Sequence, residues 1–478
     1  MNATVANEQH RHLLVSAGVD ASTVTQWLGD VARIDVGFAG DSRQLDARAQ
    51  AVAKLIRRGW TMLDPLPLRS QRSREQKAGG ESIVSIATNL CRGFVRAWRE
   101  PIYAALTQDF TRHVRVDDLV YQAAERWPGL APTRAEVAKE MERVQADKDG
   151  LEIFQGCLIG QLLTSQKIGL HMINSMLRPT SEALAKIEEF KRRGTIDLGA
   201  ARVEARGETG YVYVKHPQYL NAEDQETLIP QEIAVDLVLL HPELKMGVLR
   251  GDVVDHPRYR GRRVFNAGLN LTKVYYGKLP YLFYIVRDLG LVNKFFRGLA
   301  RADFDPEQPE DTLEKPWLAA VEAFAIGGGC QLLLVMDYVI AETGSYFNLP
   351  ARKEGIIPGC ANLRLPRFVG ERQARAGIMF DKKFSVDSPE AAMLVNEIVP
   401  PEEMDQAIER IVATAVGSGM VSAGANRKAL RVQAEPLDVF RRYMALYAYE
   451  QALCHLSDQL IANLEHHWNA KQRRLASL

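Results

Sequence analysis

The spacing of apolar positions changes near residue 195. Before it, apolar residues recur at three- and four-residue intervals, as Leu151, Phe154, Leu158 and Leu162 do, which predicts helices. Thr133 with Glu136, just after Pro132, predicts a capping box opening a helix through AEVAKEMERVQADKDG. Two prolines in LDPLPL predict a turn, and the polar, basic run RSQRSREQKAGGES, with Gly79-Gly80, predicts an exposed loop. Past Thr195 the pattern alternates. ARVEARGETGYVYVKH, around Gly207 and Gly210, predicts a β-hairpin. EIAVDLVLLHPELKMGVLRG predicts a helix and then a buried strand, MGVLRG. Further buried strands are predicted at EAFAIGG and YVIAET, each beside a helical stretch. Strand–helix alternation of this kind predicts an α/β sheet built from crossover units. From Glu403 onward the pattern is helical again, and YMALYAYEQALCHLSDQLIANLEHHW carries an apolar face long enough to cover a partner subunit or an active site. The chain therefore divides into a large helical N-terminal domain over residues 1–195, an α/β core over 196–405 and C-terminal helices over 406–478.

Bulk properties narrow the class. A length of 478 residues exceeds one ordinary core. Hydrophobic residues at 46%, charged residues at 25% and a formal net charge of +1 describe a soluble protein with no bias toward nucleic acid or membrane surfaces. Cys91, Cys157, Cys330, Cys360 and Cys454 are odd in number, widely spaced and without a CxxC pair. This points away from a disulfide framework or zinc site and toward the cytoplasm. MNATVANEQHRHLL lacks the basic start and long apolar run of a signal peptide, and no apolar stretch approaches the ~20 residues of a spanning helix.

Two glycine turns carry the candidate chemistry. One is VFNAGLNL, with Ala267, Gly268 and Leu269; the other is AIGGGCQLLLVMD, with Gly327, Gly328 and Gly329 between a strand and a helix. Glycines there let backbone N–H groups approach a ligand, and such a turn suits a developing oxyanion. An isolated GGG is more often a tight turn with close helix–sheet packing. A phosphate loop is disfavoured because no Lys-Ser or Lys-Thr follows, and a dinucleotide site because GxGxxG is missing. No HxxxH or 2-His-1-carboxylate cluster appears at ligand spacing.

The order GETGYVYVKHPQYLNAEDQETL, FNAGLNL, EAFAIGGGCQLLLVMDYVIAETGSYFNLPARKEGIIPG, AAMLVNEIVPPEEM resembles the crotonase (enoyl-CoA hydratase/isomerase) superfamily from about Thr195 to Val412. The resemblance implies a crotonase-type ββα superhelix core that binds acyl-CoA. It also implies an oxyanion hole for the thioester oxygen made by the N–H groups of Leu269 and Gly328. Hydratases of that superfamily carry two glutamates that handle water. At the matching positions this chain has Gln331 and Ala351, and neither an amide nor a methyl can transfer protons. Enolate stabilisation is thus retained while ordinary hydration is not expected. The methyl at Ala351 leaves apolar space that Ile356, Ile357 and Pro358 can line, and small apolar cavities hold apolar guests such as dioxygen.

The long helical N-terminal half, the two turns, the missing glutamates and the helical tail together resemble a family of arylacetyl-CoA dioxygenases within that superfamily. That family acts in dihydroxyphenylglycine formation for glycopeptide antibiotics and uses no metal, flavin or haem. The implied reaction takes (3,5-dihydroxyphenyl)acetyl-CoA and dioxygen to 3,5-dihydroxyphenylglyoxylate and free coenzyme A. By the same resemblance Glu223, Arg287 and Gln331 read the aryl hydroxyls. Their alternatives are a helix start at Asn221–Asp224, a surface ion pair of Arg287 with Asp288, and a backbone contact for Gln331. Coenzyme A is expected along HPRYRGRRVFNAG, with His256, Arg258, Tyr259, Ala267, Gly268, Asn270 and Gly329 as substrate and coenzyme A contacts; the alternative for the arginine cluster is a solvated loop. Homotrimers or dimers of trimers are implied. Thioester hydrolysis, double-bond isomerisation and a non-catalytic acyl-CoA-binding scaffold are the competing readings.

Overall fold

In a computed structural model of the chain, residues 3–39, 41–303, 311–417 and 419–475 are described. Packing divides them into two compact units. One holds residues 1–172, 274–282 and 444–462, the other residues 173–273, 283–443 and 463–478. A division at residues 195 and 405 follows chain order, whereas the packing does not. The helix Ser181–Arg193 lies with the second unit because it packs on the helix Gln225–Leu240 and on β1 (Thr195–Asp197). Residues 444–462 lie with the first because Ala448 and Ala452 sit against Gly156, and the Tyr281 hydroxyl donates to the Ala448 carbonyl.

The first unit is helical. Its longest element, Arg74–Thr107, opens with a capping box between Ser73 and Gln76. The run expected as an exposed loop holds a short turn at Arg69–Gln71, and from Arg74 onward it is the start of a 34-residue helix. Gly79 and Gly80 are buried in it, and a methyl on Gly79 would collide with the Ala17 side chain of the helix Ala3–Ser16 and its following turn. Here Gly79 permits close helix packing, where local sequence reads the glycine pair as a turn. The capping box at Thr133 and Glu136 is present, but its helix stops at Met141.

The second unit contains the sheets. β2 (Ala201–Arg206) and β3 (Thr209–Val214) form the expected hairpin, with Gly207 at φ +56° in the turn. β4 (Met246–Gly251) pairs parallel with β3. β5 (Leu299–Ala300) and β6 (Thr312–Leu313) form a separate short pair. The main sheet continues in parallel through β7 (Trp317–Val321) and β9 (Tyr338–Glu342), after β8 (Phe324–Ile326) has left for a second sheet. That second sheet joins β8 to β10 (Tyr346–Asn348) and β11 (Phe384–Ser385). β12 (Glu397–Val399) closes the main sheet, whose order is β1-β2-β3-β4-β7-β9-β12. One face packs Tyr211, Tyr213, Met246, Val248, Leu318, Ala320 and Ile340 against Met404, Ala407 and Ile408 of the helix Met404–Gly417. The alternate spacing within each strand is what places them on one face. This is the α/β sheet that the strand–helix alternation implied, here mixed in direction, and β8 delivers the second glycine turn.

Candidate active site

β8 leads into Gly327, whose φ +51° and ψ −114° disfavour a side chain, and the helix Gly328–Leu333 follows it. The Gly327 N–H donates to the Asn348 carbonyl at 2.8 Å, and its carbonyl accepts from the Gln331 N–H at 3.0 Å. The other turn is built as tightly. Gly268, at φ +79°, donates its N–H to Asn266 Oδ1 at 2.7 Å. Glu223 N–H donates to the Gly268 carbonyl at 2.7 Å, and Asn270 N–H to the Glu223 carbonyl at 2.9 Å. These bonds bridge Glu223 to Leu269 and leave the Leu269 N–H outside the bridge. The two turns touch: a methyl on Gly268 would lie 2.6 Å from the Ile326 carbonyl oxygen and 3.2 Å from the Gly328 nitrogen. Among the described residues, no hydrogen bond engages the N–H of Leu269 or of Gly328. Gly329 is glycine for packing, since a methyl there would sit 2.7 Å from Asn266 Cβ.

Beside Gly328 lies a buried ionic cluster. Arg287 and Asp288 open a π-helix, Arg287–Leu291, a wider winding that often marks functional positions. Arg287 donates through Nε to Glu223 Oε2 at 2.8 Å and through Nη2 to Glu223 Oε1 at 3.1 Å. Nη2 also reaches the Gly328 carbonyl at 2.9 Å. Nη1 reaches Asp288 Oδ1 at 2.9 Å and Gln331 Oε1 at 2.8 Å. Five donors thus meet five acceptors. A methyl on Gly328 would collide with Glu223 Oε2, so that glycine also makes room for the carboxylate. Glu223, Arg287 and Gln331, expected to act together, are brought together. Arg287 and Asp288 are no surface pair, being 4% and 1% exposed. Burial pushes the Asp288 carboxyl above the usual carboxylate range, against the pull of Arg287 and Arg364.

Asn270, expected at the ligand, has its side chain turned inward. Its Nδ2 donates to Asp224 Oδ2 at 2.9 Å, and its Oδ1 accepts from the Lys273 N–H at 3.3 Å. Asp224 caps the helix Gln225–Leu240 in a box with Thr227 and also receives Lys273 Nζ at 3.1 Å. Asn270 therefore braces the turn that holds Leu269. Asn221, read as a possible helix cap, instead ties two loops together, donating to the carbonyls of Asp252 and Val264.

The basic run between β4 and the first turn sorts its arginines by partner. Arg260 pairs with Asp255, Arg262 with Glu342 and Arg263 with Asp252. Arg258 has no carboxylate partner among the described residues and lies over the Tyr259 ring. Tyr259 packs edge-on to Phe324 of β8, which also meets Tyr346, and Lys383 Nζ sits 4.3 Å from the centre of the Tyr346 ring. His256 lies beside Tyr259, and Ala267 packs against the same aromatic group. Tyr346 and Lys383 were not singled out from sequence; no motif marks them, because strand pairing is what sets Tyr346 beside Phe324 and brings Lys383 over the Tyr346 ring.

The enoyl-CoA hydratase/isomerase family model matches residues 304–450. A (3,5-dihydroxyphenyl)acetyl-CoA 1,2-dioxygenase from Amycolatopsis orientalis is 45% identical over 405 residues, covering 84% of this chain and 92% of that protein. The chain belongs to the (3,5-dihydroxyphenyl)acetyl-CoA 1,2-dioxygenase family of the crotonase superfamily. A crotonyl-CoA hydratase from Syntrophomonas wolfei is 28% identical over 229 residues, 48% of this chain and 79% of that protein. A solved enoyl-CoA hydratase from Mycobacterium avium subsp. paratuberculosis K-10 is 18% identical with a TM-score of 0.47, covering 56% of this chain and 98% of that one. The crotonyl-CoA hydratase match takes in about half of the chain, whereas the dioxygenase match extends well beyond it.

Within this dioxygenase-family chain, the positions that depart from the hydratase pattern are both buried. Gln331 has its amide oxygen fixed by Arg287. Ala351 opens the short helix Ala351–Glu354, and its carbonyl accepts from Ile356 N–H at 3.0 Å. Pro358 is buried, and Ile356 and Ile357 are half-buried. The segment then reaches Gly359, where a methyl would collide with the Asp288 carboxylate. Among the described residues no group of three or more His, Cys, Asp or Glu side chains converges as metal ligands, and no helix is long and apolar enough to cross a membrane.

Proposed function

We propose that this chain converts (3,5-dihydroxyphenyl)acetyl-CoA and dioxygen to 3,5-dihydroxyphenylglyoxylate and free coenzyme A, with no metal, flavin or haem. The observation that carries the reading is the unengaged N–H pair of Leu269 and Gly328 directly beside Glu223, Arg287 and Gln331. The N–H pair accepts the thioester oxygen as it becomes an enolate oxygen. The carboxylate, guanidinium and amide read the two ring hydroxyls. His256, Arg258 and Tyr259 hold coenzyme A, and Arg258, with no carboxylate partner among the described residues, meets a phosphate.

Loss of one α-proton gives the enolate. An electron-rich dihydroxyaryl enolate transfers an electron to dioxygen, and recombination gives an α-peroxide. The peroxide attacks the thioester carbonyl and expels the coenzyme A thiolate. O–O cleavage with loss of the second α-hydrogen gives the α-keto acid. Both α-hydrogens leave, one ending on the thiol and one in solvent, and both dioxygen atoms end in the glyoxylate. Ala351, Ile356 and Pro358 leave space for dioxygen next to the α-carbon. The product is an arylglyoxylate, the keto-acid precursor of an arylglycine, which places the reaction in dihydroxyphenylglycine formation for glycopeptide antibiotics. The family resemblance leads to assembly as a homotrimer or a dimer of trimers, and the scattered cysteines to the cytoplasm.

The test mixes metal-stripped protein with (3,5-dihydroxyphenyl)acetyl-CoA and follows dissolved oxygen and product mass. Oxygen uptake matched to glyoxylate and free thiol is expected. Thiol release without oxygen uptake indicates a hydrolase, and binding without turnover indicates a scaffold. Ala351→Leu is expected to raise the KM for oxygen more than that for the thioester; equal effects would remove Ala351 from the oxygen site.

A further inference from the structure

We propose that Asp288 is a specificity-determining positioning residue: its carboxyl holds one arm of Arg287 so that Glu223 and Gln331 are presented at a fixed spacing to the ring hydroxyls. The proposal deepens the function proposed above and rests on it. Arg287 Nη1 divides its two hydrogens between Asp288 Oδ1, at 2.9 Å, and Gln331 Oε1, at 2.8 Å. Nε and Nη2 grip Glu223, and the remaining hydrogen goes to the Gly328 carbonyl. A guanidinium is planar, with donors in fixed directions. Releasing one acceptor therefore turns the whole fork and shifts the carboxylate and amide attached to it. Glu223, Gln331 and Gly328 all have roles toward the substrate, whereas Asp288 acts on it only through Arg287.

Three features of the fold exist to keep Asp288 there. Consecutive residues of an α-helix point about 100° apart and do not face one another. The π-helix Arg287–Leu291 is the setting in which residue 288 meets its own neighbour's side chain. Gly359 leaves the space that Asp288 Oδ2 occupies, since a methyl there would collide with it. The backbone just after Gly359 is fixed in turn: Cys360 sits at φ +56°, its N–H donates to the Tyr443 hydroxyl at 2.9 Å, and that hydroxyl lies 3.2 Å from Asn362 Oδ1. Asp288 belongs to no recognisable sequence motif, whereas Gly359 closes the GIIPG string of the family resemblance, and the sequence alone reads Arg287-Asp288 as an ordinary neighbouring pair.

A merely structural role would weaken every substrate alike. A positioning role acts on the substrate that carries hydroxyls. The experiment measures anaerobic α-proton exchange in deuterated water, with KM and maximal rate, for (3,5-dihydroxyphenyl)acetyl-CoA and for phenylacetyl-CoA. It compares the wild type with Asp288→Ala, Asp288→Asn and Gly359→Ala. The ratio of the two KM values, dihydroxylated over unsubstituted, should rise about 10- to 100-fold in Asp288→Ala, the range for losing a charge-assisted contact. Asp288→Asn keeps an acceptor for Nη1 and should restore most of the ratio. Gly359→Ala should reproduce the alanine pattern by displacing the carboxyl, and carries the test if Asp288→Ala does not fold. An unchanged ratio, or equal losses on both substrates, overturns the proposal while leaving the function intact. A wild type that exchanges neither substrate overturns the functional reading and this proposal with it.

Discussion

The two glycine turns and the Arg287 cluster touch at Gly328, yet they are built on opposite principles. The turns present backbone N–H groups. Leu269 and Gly328 contribute no side-chain function, and what matters is that Gly327 and Gly268 take positive φ and that Asn266, Asn348 and Asp224 pin the loops. The cluster is the reverse. Each of its bonds runs from a guanidinium to a carboxylate, an amide or a carbonyl, all buried. A backbone site tolerates side-chain change and fails when an N–H is lost. A charge cluster fails when any one partner is lost, because the others are then stranded away from water.

The largest expected effect breaks the cluster. Arg287→Met leaves Glu223 and Asp288 buried without the guanidinium that hydrogen-bonds both, and removing one partner of a buried pair typically costs about 3–5 kcal/mol. Urea unfolding of the variant against the wild type reads this directly. A loss under about 1 kcal/mol would mean that the carboxylates protonate or reach water, and that the cluster is softer than its geometry. Next comes the turn. Gly328→Ala and Gly328→Pro both bring a Cβ against Glu223, but only proline removes the N–H. Gly328 is the first residue of its helix, a position that accepts proline. Proline should exchange the substrate α-proton about 10²–10³-fold more slowly than alanine, the usual cost of one oxyanion donor. Equal rates in the two variants would show that this N–H is not used. Glu223→Gln should then act mainly on recognition, raising the KM for the dihydroxylated thioester by about tenfold as one charged contact becomes neutral. An equal rise for phenylacetyl-CoA would assign Glu223 to the reacting centre.

What could be read from sequence follows the same division. The turns were legible because glycine is a direct record of backbone geometry: FNAGLNL and IGGGCQ show the places where a side chain would not fit. Glu223, Arg287 and Gln331 entered only through family resemblance, since a carboxylate, an arginine and an amide in three separate segments have no spacing that marks them as neighbours. Asp288 was passed over because an adjacent Arg-Asp pair is ordinary, and its burial comes from a π-helix that no local pattern announces. Gly79-Gly80 misled in the other direction, because the partner that needs the missing side chain of Gly79 lies some sixty residues away at Ala17. β7 was not singled out either; WLAAV is five buried residues with no alternation to separate it from a helix fragment.

The smallest effect decides which force governs the cluster. Burial raises the proton affinity of Asp288, and Arg287 with Arg364 lowers it; the balance favours burial. A carboxyl raised in the folded state contributes stability that is fully present below its unfolded value, about 4, and is lost as pH climbs through the folded value. Asp288→Asn cannot ionise and has no such dependence. The urea midpoint of the wild type should therefore fall relative to that of Asp288→Asn as pH rises from about 4. If the wild type instead gains on the variant over that range, the guanidiniums win, Asp288 is a carboxylate throughout, and Arg287 sits between two full negative charges. In that case the cluster would carry its own net negative charge beside an enolate, and the nearby oxyanion donors would have to offset both.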